Sequence, residues 1–456
     1  MYKKILIASL ALIAGLASCK KDDPTPSPNP PSTLTIDGVA STLEFYQLDT
    51  AHLSVAGVAK DAATKAVWAV NGAKAAEGAT FDFTTAHPGK YEVTLTVDGK
   101  SAKHTYTVAP RFSEGAFLLN EGNFGNETGS LTYIHPSKKL VIDQAYYRVN
   151  GTKLGNVCQD LAFGNDQIYI LSQLGPKNGG EGLLTIASSN SLEKVKVYND
   201  EALAQSTPTH IAVIRDHIYI RTERDGILRG SSEGGFTPIT GTKKALKQRM
   251  AQIGERLFAL TSDSKVLMIQ GSQVVRELDL SPAKPSGIAV SHDGKLWVST
   301  TSPNAILKVD PTPDNFVALD THILDKSISA TGPQSWERTT SSAFFAHGDK
   351  LYFTGQSSVI YCHDFATNKT SQIIDVKTID GVGTSANMYY NSLGVDPATG
   401  ELYYAAFEDF STYNKKNVTM VLKADGTKLL LKEQVNSFPA GFFFIPNAAS
   451  RTGANR

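Results

Sequence analysis

Two kinds of side chain recur in the irregular segments of this chain. Amides donate and accept hydrogen bonds at once, and aromatic rings give a large contact area at little cost in conformational entropy. The stretch Asn120-Glu121-Gly122-Asn123-Phe124 combines both with a carboxylate, and Gln173, Arg221, Trp336, Tyr389, Tyr390 and Phe438 extend the set. Asn120, Glu121, Asn123, Phe124, Gln173, Arg221, Trp336, Tyr389, Tyr390 and Phe438 are therefore the expected ligand contacts. They suit a flat, polar, largely uncharged ligand better than they suit bond cleavage. Any one of these rings could equally pack between neighbouring sheets, so the cluster carries the reading.

The signals for catalysis are weaker. The ten histidines contain no HxH or HxxxH pair, and no serine stands in a GxSxG elbow. Glu121 is the one acidic group placed to serve as a base or a metal ligand. No catalytic residue, no metal site and no intrinsic cofactor is expected, and the chain reads as a binder and not an enzyme.

Composition bounds the partners. With 456 residues, 41% hydrophobic content and a formal net charge of +0, the chain can bury a large core in more than one domain. Neutral balance argues against a general nucleic-acid binder, which needs a basic footprint. A small or neutral partner is the better expectation.

The N-terminus carries an address. Lys3 and Lys4 precede the apolar run from Ile5 to Leu16, which has the charged and hydrophobic regions of an export signal and is too short for a membrane span. The run closes on Leu16-Ala17-Ser18-Cys19, which resembles a bacterial lipobox. The resemblance implies that residues 1–18 are removed and that the Cys19 thiol is lipidated. Acyl chains contribute roughly 0.8 kcal/mol per buried methylene, so two or three of them anchor stably. Lys20-Lys21-Asp22-Asp23 resembles the export tag of surface lipoproteins of the Bacteroidetes type, which implies an outer-membrane protein facing the cell exterior. Pro24 to Ser32, PTPSPNPPS, is an extended Pro-rich tether that completes the segment 19–32. The membrane is met through the lipid anchor alone.

Two folded regions follow, and the expected fold class is all-β. Residues 33–110 read as strands: Tyr91 to Val97 alternates with period two, Asp98-Gly99 makes a turn, and His104 to Val108 returns. Val67-Trp68-Ala69-Val70-Asn71-Gly72 with Gly89-Lys90-Tyr91-Glu92-Val93 resembles PKD and bacterial Ig-like modules, which implies a β-sandwich with a core tryptophan and the role of a spacer.

From 111 to 447 one pattern repeats: an apolar strand, a tight polar turn, and a strand rich in aromatic and β-branched residues. It starts at Leu161, Ile211, Met250, Ile288, Phe344 and Leu393, about 38 to 56 residues apart. This spacing fits the four-stranded blade of a β-propeller. A seventh copy stops after one strand, Ala440-Gly441-Phe442-Phe443-Phe444-Ile445, and strands near Ala116, Leu131 and Leu140 lack a first member. The two ends are expected to pair and close a seven-bladed ring, leaving residues 448–456 as a tail, because an unpaired strand leaves backbone groups without partners. Cys158 and Cys362 fall in different repeats, carry no metal spacing and read as packing residues; a disulfide between them is possible but unsupported.

In such a ring the turns between first and second strands lie on one face. The loops before the first strand and after the second lie on the other, where the amide and aromatic residues gather. The stretch Leu119 to Gly125, followed by Gly129-Ser130-Leu131-Thr132-Tyr133, resembles the opening of YncE-like propellers of Bacteroidetes surface lipoproteins. That group includes cobalamin-binding lipoproteins seated on TonB-dependent transporters. The resemblance implies a nutrient ligand, a corrinoid as the best expectation, handed to a TonB-dependent outer-membrane transporter. The alternative from another class is a surface adhesion or assembly protein binding a protein or glycan, and a propeller hydrolase or lyase ranks third.

Overall fold

The computed structural model describes residues 33–39, 44–328, 343–355, 357–387 and 393–446. The expectations placed on Cys19, Trp336, Tyr389 and Tyr390 lie outside the described residues. Among the described residues no helix is long and apolar enough to cross a membrane.

The chain divides into two compact units, the first containing 51–83 and 91–106, the second containing the chain from Thr107 onward. Among the described residues the N-terminal sheets number two. Thr35–Asp37, Thr50–Ala56 and Thr80–Thr84 form a three-stranded sheet, and Phe45–Tyr46, Lys100–Ala109, Gly89–Val97, Val67–Val70 and Ala73–Glu77, in that order, form a five-stranded one. The Asp98-Gly99 turn has positive φ at both positions (45° and 77°), the backbone that a two-residue hairpin needs to match strand twist. Trp68 is fully buried, and its indole N–H donates to the Gly78 carbonyl at 2.9 Å, so its one polar atom is satisfied inside the core.

The second unit contains seven four-stranded antiparallel sheets among the described residues. Six are continuous in sequence. The seventh joins Pro439–Phe444 to Ala116–Asn120, Ser130–His135 and Leu140–Ile142. Phe442 opposes Leu118, Phe443 opposes Phe117 and Phe444 opposes Ala116, so the end of the domain completes the sheet its beginning leaves open. This is a β-propeller fold. Ala116–Asn120, Leu402–Phe407 and Asn417–Leu422 are buried at every position, whereas the outermost strand Ala318–Ile323 is exposed at all positions but one. Inner and middle strands face apolar neighbours on both sides, and outer strands face water. The core lies between adjacent sheets: Val213, Ile218 and Ile220 of one pack on Tyr169, Leu171 and Ile186 of the next. Burial of this kind contributes roughly 25 cal/mol per Å² of apolar surface.

Seven strands stand innermost: Asn156–Gly164, Pro208–Ile214, Ala251–Ile253, Lys284–Val290, Phe344–His347, Leu393–Val395 and Pro439–Phe444. They line a channel whose two ends differ in chemistry.

Candidate functional site

At the loop end of the channel a cavity of about 340 Å³ is lined by Glu121, Gly122, Asn123, Phe124, Val157, Gln159, Gln173, Lys247, Phe410 and Phe438. Five of the expected contacts, Glu121, Asn123, Phe124, Gln173 and Phe438, converge there from three parts of the chain. The convergence is a product of the pairing between the two ends of the domain. The Glu121 N–H donates to the Phe438 carbonyl at 2.8 Å, and the Gly122 N–H donates to Ser437 O at 3.3 Å. Gly122 sits at φ 74°, where a Cβ would collide with the Thr128 carbonyl, so this turn accepts no side chain.

Three phenylalanines make the aromatic wall. Phe438 stacks on Phe410 at 5.6 Å between centroids and packs on Tyr413 at 4.4 Å and Phe407 at 5.1 Å. Phe124 is 64% exposed, with the Lys177 ammonium 3.4 Å from its ring centroid. Its carbonyl accepts from Asn178 Nδ2 at 3.2 Å, which pins the loop that displays it. The floor is polar: Gln159 Nε2 donates to Glu121 Oε1 at 2.7 Å, and the Gln173 amide has no partner among the described residues.

Lys247 supplies a cation. Its ammonium lies 3.4 Å from Glu223 Oε1, and burial lowers its pKa against the attraction of Glu223 and Glu121. Val157 and Phe438, both lining residues, hold φ of 56° and 52°, a left-handed backbone that costs non-glycine residues on the order of 1–3 kcal/mol. For a β-branched residue such as Val157 this is a marked outlier, held in place by the surrounding ladder.

Two expected contacts are placed elsewhere, and a physical reason accounts for each. Asn120 is buried, its amide donating to Ser130 Oγ at 3.2 Å and Thr132 Oγ1 at 3.3 Å while its oxygen accepts from the Ser437 N–H at 3.1 Å. It clasps the two chain ends of the ring and does not line the cavity. Arg221 is buried in the wall, donating to the Ala245 carbonyl through Nε and Nη2 at 3.2 and 3.0 Å and pairing with Glu223 Oε2 at 3.1 Å. Through Glu223 it braces Lys247. Asn123 reaches the rim, but its Oδ1 accepts from the Gly125 N–H at 2.8 Å and shapes its own loop.

The sequence reading missed Val157, Gln159, Phe410 and Lys247. Phe410 falls in a loop that follows a second strand, on the face expected to carry the site, and Val157 and Gln159 lie in the inner strand Asn156–Gly164. Lys247 stands just before an inner strand, where a lone lysine carries no local signal.

Below the cavity Asp160 is fully buried, accepting from the Ile211 N–H at 3.0 Å and paired with Arg249 Nε at 3.3 Å. Burial outweighs that attraction and pushes its carboxyl up to about 6. His210 is buried nearby, its pKa held well below the usual imidazole range by burial and by Arg221, Lys247 and Arg249, so it is neutral. Gln248 Nε2 donates to the Ser286 carbonyl at 2.7 Å across the same level. Among the described residues no group of three or more His, Cys, Asp or Glu side chains is placed to hold a metal ion.

Fold and cavity together define a β-propeller with an aromatic and amide-lined cavity at the loop end of its channel. Residues 114–445 match the family described as a domain of unknown function, DUF5074, and the chain belongs to that family. No curated protein matches the sequence. Among solved structures the chain is similar to a quinonprotein alcohol dehydrogenase-like protein from Bacteroides thetaiotaomicron, at 16% identity over 90% of this chain and 98% of that one, with a TM-score of 0.56. It is also similar to a protein from Lactobacillus plantarum (13% identity, 73% of this chain and 99% of that one, TM-score 0.47) and to BamB from Moraxella catarrhalis (12%, 60% and 76%, TM-score 0.36). At these identities the likeness concerns the fold alone.

Proposed function

We propose that this chain is an exported lipoprotein, anchored through Cys19 to the outer membrane and facing the exterior, whose seven sheets are the blades of one closed ring. The N-terminal unit is an Ig- or PKD-like spacer. The loop-end cavity captures a nutrient of the corrinoid class for delivery to a TonB-dependent transporter, as the resemblance to YncE-like lipoproteins implies, and the protein performs no catalysis.

One observation carries the binding reading: Phe124, Phe410 and Phe438 wall a cavity whose floor presents Gln159, Gln173, Glu121 and Lys247. A corrinoid is a flat macrocycle fringed with amides. Rings accept its face, and glutamine side chains match its fringe with both donors and acceptors. A cavity of about 340 Å³ is at the low end for small-molecule sites, about 300–1,000 Å³. It takes an edge of such a molecule and leaves the remainder above the rim.

Calorimetry of the lipid-free protein against cyanocobalamin, cobinamide and haem tests the reading. Saturable heat with a corrinoid, lost in Phe438→Ser, is the expected result, and silence with all three removes it. Recovery of a TonB-type receptor in pull-downs from outer membranes tests the delivery step, whereas recovery of matrix components favours adhesion.

A further inference from the structure

The other end of the channel holds a second cavity of about 360 Å³, between the hairpin turns of the inner strands. Its walls are mainly apolar, with Gln248 and Gln252 among them, and incompletely covered: Phe163, Met250, Ile288, Val290, Phe345 and Phe444 line it and are only half-buried. Apolar surface left in contact with water at the centre of a domain is unspent hydrophobic free energy, and a concave site of this size and lining is where a small apolar ligand is held.

Among the described residues a single charged side chain lines this cavity, Arg249. It is held by four features of the fold. Its guanidinium lies 4.2 Å from the Phe443 centroid, Nη2 donates to the Ala440 carbonyl at 3.1 Å, and Nε pairs with Asp160. Gly441, at φ 137°, leaves the space: a Cβ there would collide with Nη2. The Arg249 side chain is 24% exposed and that of Asp160 only 3%, so the cavity meets the cation and not the carboxylate behind it.

We propose that the hairpin end of the channel is a second binding site, for a medium-chain monocarboxylate of the fatty-acid type, with its carboxylate on Arg249 and its chain along Ile288, Phe345 and Phe444. The charge complementarity decides the class. An alcohol of the same chain length fills the same walls but offers no anion to the guanidinium, and a charge-assisted hydrogen bond is roughly twice as strong as a neutral one. The site shares no lining residue with the loop-end cavity, so it stands or falls independently of the corrinoid reading.

Calorimetric titration of the lipid-free chain with decanoate and with 1-decanol, both below their aggregation limits, is the test. Decanoate is expected to bind saturably, and decanol roughly ten- to a hundredfold more weakly, the worth of a charge-assisted contact. The double variant Asp160→Asn/Arg249→Gln removes both charges together and should bring decanoate down to the decanol level. Phe345→Asp, at a half-exposed wall position, should abolish decanoate binding and leave corrinoid binding unchanged, and it serves if the double variant does not fold. Absence of saturable decanoate binding, equal affinity for decanol, or decanoate binding that survives Phe345→Asp but is lost in Phe438→Ser overturns the proposal.

Discussion

The two ends of the channel are built by the same strands and differ in almost everything else. Asn156–Gly164 sends Val157 and Gln159 into the loop-end cavity and Leu161, Ala162 and Phe163 into the hairpin-end cavity, with Asp160 buried between them. The C-terminal segment repeats this, with Phe438 at one end and Phe442, Phe443 and Phe444 at the other. The loop end takes its rings and its lysine from connections, and its glutamines, Gln159 and Gln173, from strands. The hairpin end takes most of its side chains from strand positions that must also suit the ladder, so it is mainly apolar, with Gln248, Gln252 and one arginine that has a buried carboxylate beside it. The difference teaches that chemical variety in this fold comes from loops and the strand residues beside them, and that strand-borne surface becomes a site where packing leaves it uncovered.

The sharpest way to break the comparison is Arg249→Ala. It leaves Asp160 buried without its partner and removes the ring contact to Phe443, so it should destabilise the propeller by about 3–5 kcal/mol. Urea denaturation measures this. A loss below about 1 kcal/mol would mean that the ion pair does not organise the hairpin end.

The second test uses pH. Burial pushes the Asp160 carboxyl up to about 6 in the folded chain, against about 3.9 when unfolded. The folded state therefore holds the proton more tightly, and this group's stabilising contribution is fullest below about pH 4, falls as pH rises towards 6, and is flat above. The difference in unfolding free energy between the wild type and Asp160→Asn should shift by up to about 3 kcal/mol between about pH 4 and pH 7, favouring the wild type at the acid end. A pH-independent difference would mean that the carboxyl titrates normally.

Phe438→Ala sharpens the other side. The ring stacks with Phe410 and Tyr413 and walls the loop-end cavity, so corrinoid affinity should fall by about 2 kcal/mol, roughly thirtyfold, with decanoate binding unchanged. The smallest effect belongs to Phe124→Ala. That ring is exposed and meets Lys177 in a cation–π contact worth about 0.5–1 kcal/mol at such sites, and calorimetry should find a loss of that order in binding with no change in unfolding midpoint.

Much of this was legible in the chain itself. The recurring strand-turn-strand pattern marked the sheets. The orphan run Ala440 to Ile445 demanded a partner near Ala116, and the structure pairs them. The loop-end site was legible in part, because Glu121, Phe124 and Phe438 stand in segments with no periodic role. Asn120 was misplaced because an amide beside a loop looks the same in sequence whether it meets a ligand or ties two strands together. Lys247 was overlooked because one lysine before a strand has no local signature. The hairpin end was illegible: Ile288, Val290 and Phe345 alternate as ordinary core residues, and nothing local tells a covered face from one that borders a void.

By itself the sequence determined the strand repeat, the need for closure and the face on which irregular loops would gather, because these follow from backbone pairing and side-chain period, which are local properties. The tertiary structure alone decided which residues converge at the loop end, that Asp160 and Arg249 pair, and that the cavity at the hairpin end is mainly apolar. Those outcomes depend on distances between residues as far apart as 160 and 249, or 120 and 437, which come into being only when the ring shuts.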